Sequence, residues 1–153
     1  DIEPVSRPRV RFFGNLDVPA EQWLKAQETP SSFEHLGLVQ SDEITGHMRG
    51  SAAQLLLVGP QHAHAIPSKV FDYMQSGRPV IGIGPLHAEV RNIVEGCGLG
   101  IWGSPEDHQG IINALLMARE GTLPFTPNAA QIEKFSADNM AIETASLLRE
   151  VCG

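Results

Sequence analysis

Residues 66–85 read Ile66-Pro67-Ser68-Lys69-Val70-Phe71-Asp72-Tyr73-Met74-Gln75-Ser76-Gly77-Arg78-Pro79-Val80-Ile81-Gly82-Ile83-Gly84-Pro85: a loop, a helix start, a glycine stop and a buried strand in one run. Proline at the first helical position donates no N–H and presets the turn, which leaves the amides of Ser68 and Lys69 free to face an anion. Gly77 stands where a left-handed residue would end that helix. The run therefore offers a phosphate-sized seat with a lysine beside it. An ordinary strand-to-helix turn would share the same local sequence.

Outward from this run, apolar stretches of strand length recur at residues 10–13, 54–58 and 79–83, with weaker ones at 33–36 and 99–102. A helical pattern follows each. Asp17 can cap a helix through Glu21, Trp23, Leu24 and Ala26, and Ser41 or Asp42 opens one through Ile44 and Met48. The third strand leads through Gly59-Pro60-Gln61-His62-Ala63-His64-Ala65 into a helix over 67–76. Residues 87–95 carry Val90, Ile93 and Val94 on one side. Ser104-Pro105-Glu106-Asp107 supplies a cap, a first-turn proline and two dipole-matching acids before a helix over 111–119. Beyond Pro127 two helical segments are separated near Phe135 and Ser136, with Ser136 capping 139–151. Alternating strands and helices on short loops predict an α/β fold: a Rossmann-like three-layer αβα arrangement around one five-stranded parallel sheet, with ligands at the carboxyl ends of the strands.

A chain of 153 residues fits one domain. Eleven basic against eighteen acidic residues give 11 − 18 = −7, which argues against a nucleic-acid partner held by a broad basic surface. Cys97 and Cys152 show no Cys-x-x-Cys spacing, so neither a disulfide framework nor a zinc site is expected and a reducing cytoplasm is the default. No apolar run approaches the roughly 20 residues that span a bilayer. Asp1-Ile2-Glu3-Pro4 resembles neither a signal peptide nor a natural start, and the expectation is a trimmed or excised domain.

Among single residues, Asp72 lies one turn into the 67–76 helix, where a carboxylate is favoured and can accept two hydrogen bonds from a ribose diol; its alternative is to solvate the helix face. Lys69 could neutralise a diphosphate. A metal held by His62, His64 and His87 is not expected. Two-apart histidines in an extended loop point to opposite sides, and no carboxylate or cysteine pattern completes a shell. A polar contact to a ligand suits His64 better. Gly82-Ile83-Gly84 lacks the third glycine of a dinucleotide fingerprint, and neither a Gly-x-Ser-x-Gly elbow nor a Walker lysine pattern occurs. Trp23, Trp102, Phe12 and Phe13 read as packing residues.

The run 66–80 resembles a segment of retaining nucleotide-sugar glycosyltransferases of the GT-B fold, the group that builds bacterial polysaccharides and lipid-linked glycans, which reads approximately Pro-Ser-Lys-hydrophobic-Phe-Glu-Tyr-Met-x-x-Gly-x-Pro-Val. Around it, His35-Leu36-Gly37-Leu38-Val39 looks like the family's short strand and Gly-x-Val turn, residues 54–59 like its next strand, and 84–89 like its Gly-x-x-x-x-Glu loop. Phe135-Ser136 looks like its late helix start. The ordered series covers nearly all of residues 9–150.

This resemblance implies that residues 1–153 form a single donor-binding lobe, the C-terminal lobe of a larger enzyme, lacking that lobe's first strand-helix unit. The parent would move a sugar from a UDP- or GDP-sugar to a polysaccharide or lipid-linked acceptor, with no cofactor and no obligatory metal. Position by position, Asp72 matches the second acid of the family's paired-acid motif, which holds the ribose hydroxyls. The first acid falls on His64, so a histidine would meet the sugar or phosphate. Amides of Ile66, Ser68 and Lys69 match those that hold the diphosphate, with Pro67 unable to donate. The Val39 backbone and Ser41 match the turn that reads the base edge, and Glu89 an acid of the same cleft. His64 and Lys69 are the residues expected to carry catalysis, Lys69 against the charge developing on the departing diphosphate.

Removing the first strand from the lobe's order 3-2-1-4-5-6 leaves strands that could close up in the order 2-1-3-4-5, or a gap filled by a neighbouring chain in a homo-oligomer or domain swap. Without the N-terminal acceptor lobe as partner, the chain alone is expected to be inactive; the parent would be cytoplasmic, either free or peripheral to the inner face of the membrane. Two other readings stay open: a sugar-nucleotide epimerase lobe and a non-catalytic α/β binding module.

Overall fold

The computed structural model describes residues 8–27 and 32–152, and the chain divides between Gly50 and Ser51 into two compact units. Both are α/β with parallel strands.

The first unit carries β1 (Val10–Phe12), α1 (Val18–Lys25), β2 (Phe33–His35) and α2 (Ser41–Gly50). Asp17 caps α1 as its sequence predicts, its carboxylate accepting the Ala20 N–H at 2.9 Å. β1 and β2 run parallel in the register Val10↔Phe33, Arg11↔Glu34 and Phe12↔His35. That register sets Arg11 opposite Glu34 at 3.2 Å and stacks Phe12 on Phe33, while Trp23 meets the Phe33 ring edge-on. The loops leaving the two strands are tied together, since the Gly14 N–H donates to the Gly37 carbonyl at 2.7 Å. None of the described residues of this unit is fully buried.

The second unit carries β3 (Gln54–Leu57), a 3₁₀ turn (Pro60–His62), α3 (Lys69–Ser76), β4 (Val80–Ile83), α4 (Glu89–Gly96), β5 (Gly100–Gly103), α5 (His108–Glu120), α6 (Ala129–Glu133) and α7 (Ala137–Cys152). Its three strands pair in the order β3-β4-β5, all parallel. Side chains along β4 alternate between two cores, as the pleat requires. Val80 joins Leu56, Val58, Val70, Val90, Val94 and Leu99 under α3 and α4, whereas Ile81 packs with Ala114, Ala118 and Leu123 under α5. Val70, Val80, Val90 and Val94 are wholly excluded from water, each contributing about 1.5–3 kcal/mol of hydrophobic stabilisation. Among the described residues no helix is long and apolar enough to cross a membrane.

Three sequence expectations need correction. The single five-stranded sheet in the order 2-1-3-4-5 is not formed, because the strands divide into sheets of two and three. β1 is only three residues long, and β3 donates toward β4 from Gln54 and Val58, which turns the Leu55 and Leu57 backbone groups to the opposite edge. There the Leu55 carbonyl accepts the Tyr73 hydroxyl at 3.4 Å, a partner a strand would otherwise supply, and Leu57 stays 61% exposed. The second correction concerns α3, which starts at Lys69 and not at Pro67. Val70 and Phe71 donate to the carbonyls three residues back, Pro67 and Ser68, so a tight turn precedes the helix. Gly77 closes it in the left-handed conformation, φ 67°, as expected. Thirdly, the cap of α5 is Asp107, which accepts from the Gly110 N–H at 2.9 Å, while Ser104 sits one turn earlier and bonds Glu106.

Gly82-Ile83-Gly84 proves to be a seat for an aromatic ring. The indole of Trp102 lies across both glycines, its Nε1–H donating to the Gly84 carbonyl at 3.2 Å, and a Cβ at Gly82 would overlap the six-membered ring. Gly82→Ala should therefore cost about 1–3 kcal/mol in urea unfolding, the usual penalty of overpacking. In a Trp102→Ala background the same change should cost less than about 0.5 kcal/mol, because the clashing partner is gone.

Candidate functional site

Adjacent parallel strands end at the same edge of a sheet, so the loops that leave β3 and β4 must lie side by side. The β3 loop is a succession of tight turns, with His62 donating to Gly59 at 2.9 Å and Ala65 to His62 at 3.0 Å. Ala63 plugs this loop into the core at 2% exposure. Its carbonyl accepts the N–H of Glu89, the first residue of α4, at 2.8 Å. This cross-loop bond brings the rings of His64 and His87 to a centroid separation of 6.3 Å.

At the start of α3 the N–H groups of Ile66, Ser68 and Lys69 have no acceptor among the described residues, and no side chain caps the helix. Such amides keep their capacity for a ligand and carry the partial positive charge of a helix N-terminus. Ser68, Lys69, Asp72, His64 and Glu89 are all exposed. None of these side chains has a hydrogen bond or ion pair with another described residue. The arrangement can meet an anion at the α3 start and a polar group in front of the imidazoles.

Of the residues singled out in the sequence, His64, Ile66, Pro67, Ser68, Lys69, Asp72 and Glu89 belong to the second unit and share its β3 and β4 loops and the helix starts that follow. Val39, in the loop after β2, and Ser41, the first residue of α2, belong to the first unit. The loop holding His62 and His64 is not extended, as the sequence reading supposed; Pro60–His62 is a 3₁₀ turn, and His64 is set against His87. Sequence reading gave His87 no ligand contact. Only the adjacency of two loops 23 positions apart reveals it (87 − 64 = 23). Among the described residues no group of three or more His, Cys, Asp or Glu comes together to hold a metal.

Beneath Asp72, Tyr73 is half-buried on the β3 edge. Burial pushes its phenol above the usual range, and the Asp72 carboxylate adds to the shift. Burial likewise raises the Cys97 thiol, which marks it as a packing residue. A cleft of about 180 Å³ lies between α5 and the sheet, lined by Ile83, Ile101, Asp107 and Ile111 among others. It contains none of the candidate residues, and the Asp107 carboxylate is already engaged as the α5 cap.

Compared with protein-family models the chain matches none, and no curated protein is significantly similar to it.

The Tyr73 shift carries a pH signature. A phenol held protonated in the folded state contributes stability that is complete below the unfolded value of about 10 and is lost as pH rises from there through the folded value. Chemical denaturation across the alkaline range should show stability falling in that window. Tyr73→Phe should make the fall shallower; an unchanged slope would show that Tyr73 is not its source.

Proposed function

We propose that the chain is the nucleoside-diphosphate-sugar-binding lobe of a GT-B-type glycosyltransferase, a Rossmann-like domain whose parent transfers a sugar to a polysaccharide or lipid-linked acceptor. The observation that carries the reading is the start of α3. A segment similar to the family's Pro-Ser-Lys motif leaves three amides without acceptors, at Ile66, Ser68 and Lys69, at the carboxyl edge of a parallel sheet. Diphosphate oxygens need such preorganised donors, because the charge on the departing group must be met without reorganisation. Lys69, exposed and without an ion pair among the described residues, adds a mobile positive charge.

In this reading Asp72 accepts the ribose hydroxyls, His64 meets the sugar or phosphate, and Glu89 borders the same cleft.

Isothermal titration of the full chain with UDP and with GDP tests the reading. One of them should bind, and Asp72→Ala should weaken it by ~1.5–3 kcal/mol, the worth of a hydrogen bond to a charged group. Absence of binding to either nucleotide would sink the proposal. Unchanged affinity in the variant would remove Asp72 from the ribose site.

A further inference from the structure

We infer that α7 is a docking helix whose apolar stripe receives an amphipathic helix of a separate polypeptide, one that carries basic residues along the edge of its own stripe. α7 runs 16 residues, about 24 Å, yet none of its described residues is buried. Helices of globular proteins owe most of their stability to an apolar face packed on something. Here that face is open. At about 100° per residue, Met140, Thr144, Leu147, Leu148 and Val151 fall on one side, at the spacing of three and four that makes a two-helix seam. The four apolar members are each more than half exposed. Thr144 adds no free donor, because its hydroxyl bonds the Met140 carbonyl at 2.7 Å. On other sides of the helix, Asn139 ties back to the Glu133 carbonyl at 2.6 Å, and Ile142 stands among Asp138, Ser146 and Arg149.

Charge selects the occupant. Glu143 and Glu150, two turns apart, line one edge of the stripe, and neither has a hydrogen bond or ion pair with a described residue. The other edge holds Ala141 and Leu148 and no charge. Counted over α7, Arg149 against Asp138, Glu143 and Glu150 gives 1 − 3 = −2, and the one base is turned away from the stripe. A second copy of the chain is therefore a poor fit. Packed antiparallel, two α7 helices bring like edges together and set carboxylate against carboxylate; packed parallel, Glu143 of one helix meets Leu148 of the other, and no base answers either acid. An anionic lipid surface fits no better, since helices that lie on such surfaces carry Lys and Arg beside their apolar face. A helix with Lys or Arg along its edge turns both acids into interhelical ion pairs while it covers the stripe.

Two synthetic helices of three heptads decide the matter, both with Leu at every a and d position, one with Lys and the other with Glu at every e and g position. In isothermal titration against the full chain, the Lys-flanked peptide should bind roughly tenfold more tightly than its Glu-flanked counterpart, the worth of two exposed ion pairs set against two like-charge contacts. Added salt should narrow that gap. Joint Glu143→Lys and Glu150→Lys substitution should reverse the order of the two peptides, and Leu147→Asp should abolish the binding of both. Failure of both peptides to bind the wild-type chain overturns the proposal, as does equal affinity for the two. Binding unchanged in Leu147→Asp places the contact elsewhere and also overturns it. A dimer in light scattering that Leu147→Asp splits gives the stripe to a second copy, which overturns it too. The three substituted positions are exposed, and circular dichroism checks that the variants fold. The comparison of the two peptides on the wild-type chain decides even where a variant does not.

Discussion

The apolar contact between the sheet of the second unit and its two covering helices governs where everything else can be. Val80 on β4 is sealed by Val70 from α3 and by Val90 and Val94 from α4, all without solvent contact. Once these valines interlock, the helices cannot slide along the strands, because native packing leaves no room for a shifted register. The two helix starts are thereby fixed at the carboxyl ends of β3 and β4, and the turn bonds within the loops before them leave little freedom. The site is thus a by-product of core packing: its polar residues need no bonds of their own to stay in place.

Trp102 extends the same core toward β5 and explains a pattern that resembles nucleotide chemistry. Two glycines separated by one residue can let a backbone approach a phosphate, or can let a large ring lie flat on a sheet. Here the ring is present, and the Gly84 carbonyl holds it in orientation through the indole N–H.

What the sequence disclosed was local in origin. Asp17 and Gly77 act within one turn of their own helices, so residue type alone places them. The strands were legible from their apolar runs, all of them within a residue or so at either end. Helix starts were harder. Pro67 and Pro85 each begin a turn closed by bonds to the third residue on, Val70 and Ala88, which delays the helix by about two residues without changing the composition a reader sees. Between Ser104 and Asp107, both good capping types, only the geometry of the Gly110 amide selects the latter. Sheet membership lay further out of reach. The Leu-Leu-Leu of β3 reads as an interior strand, yet a similar run serves at an edge, and which neighbour it takes depends on residues far away in the chain. The same distance hid His87, whose meaning comes wholly from the loop beside it.

The bond from the Glu89 amide to the Ala63 carbonyl makes two neighbouring helix starts unlike. At α4 the first amide is consumed as a strut that braces the adjoining loop; at α3 the corresponding amides form an open socket. A strut and a socket built into one edge mean that the socket's walls are set before anything enters it. Much of the ordering entropy that a flexible loop would surrender on capture has already been lost in folding. The molecule thus holds one side of its candidate cradle rigid, and leaves to the long side chain of Lys69 whatever adjustment an occupant would demand.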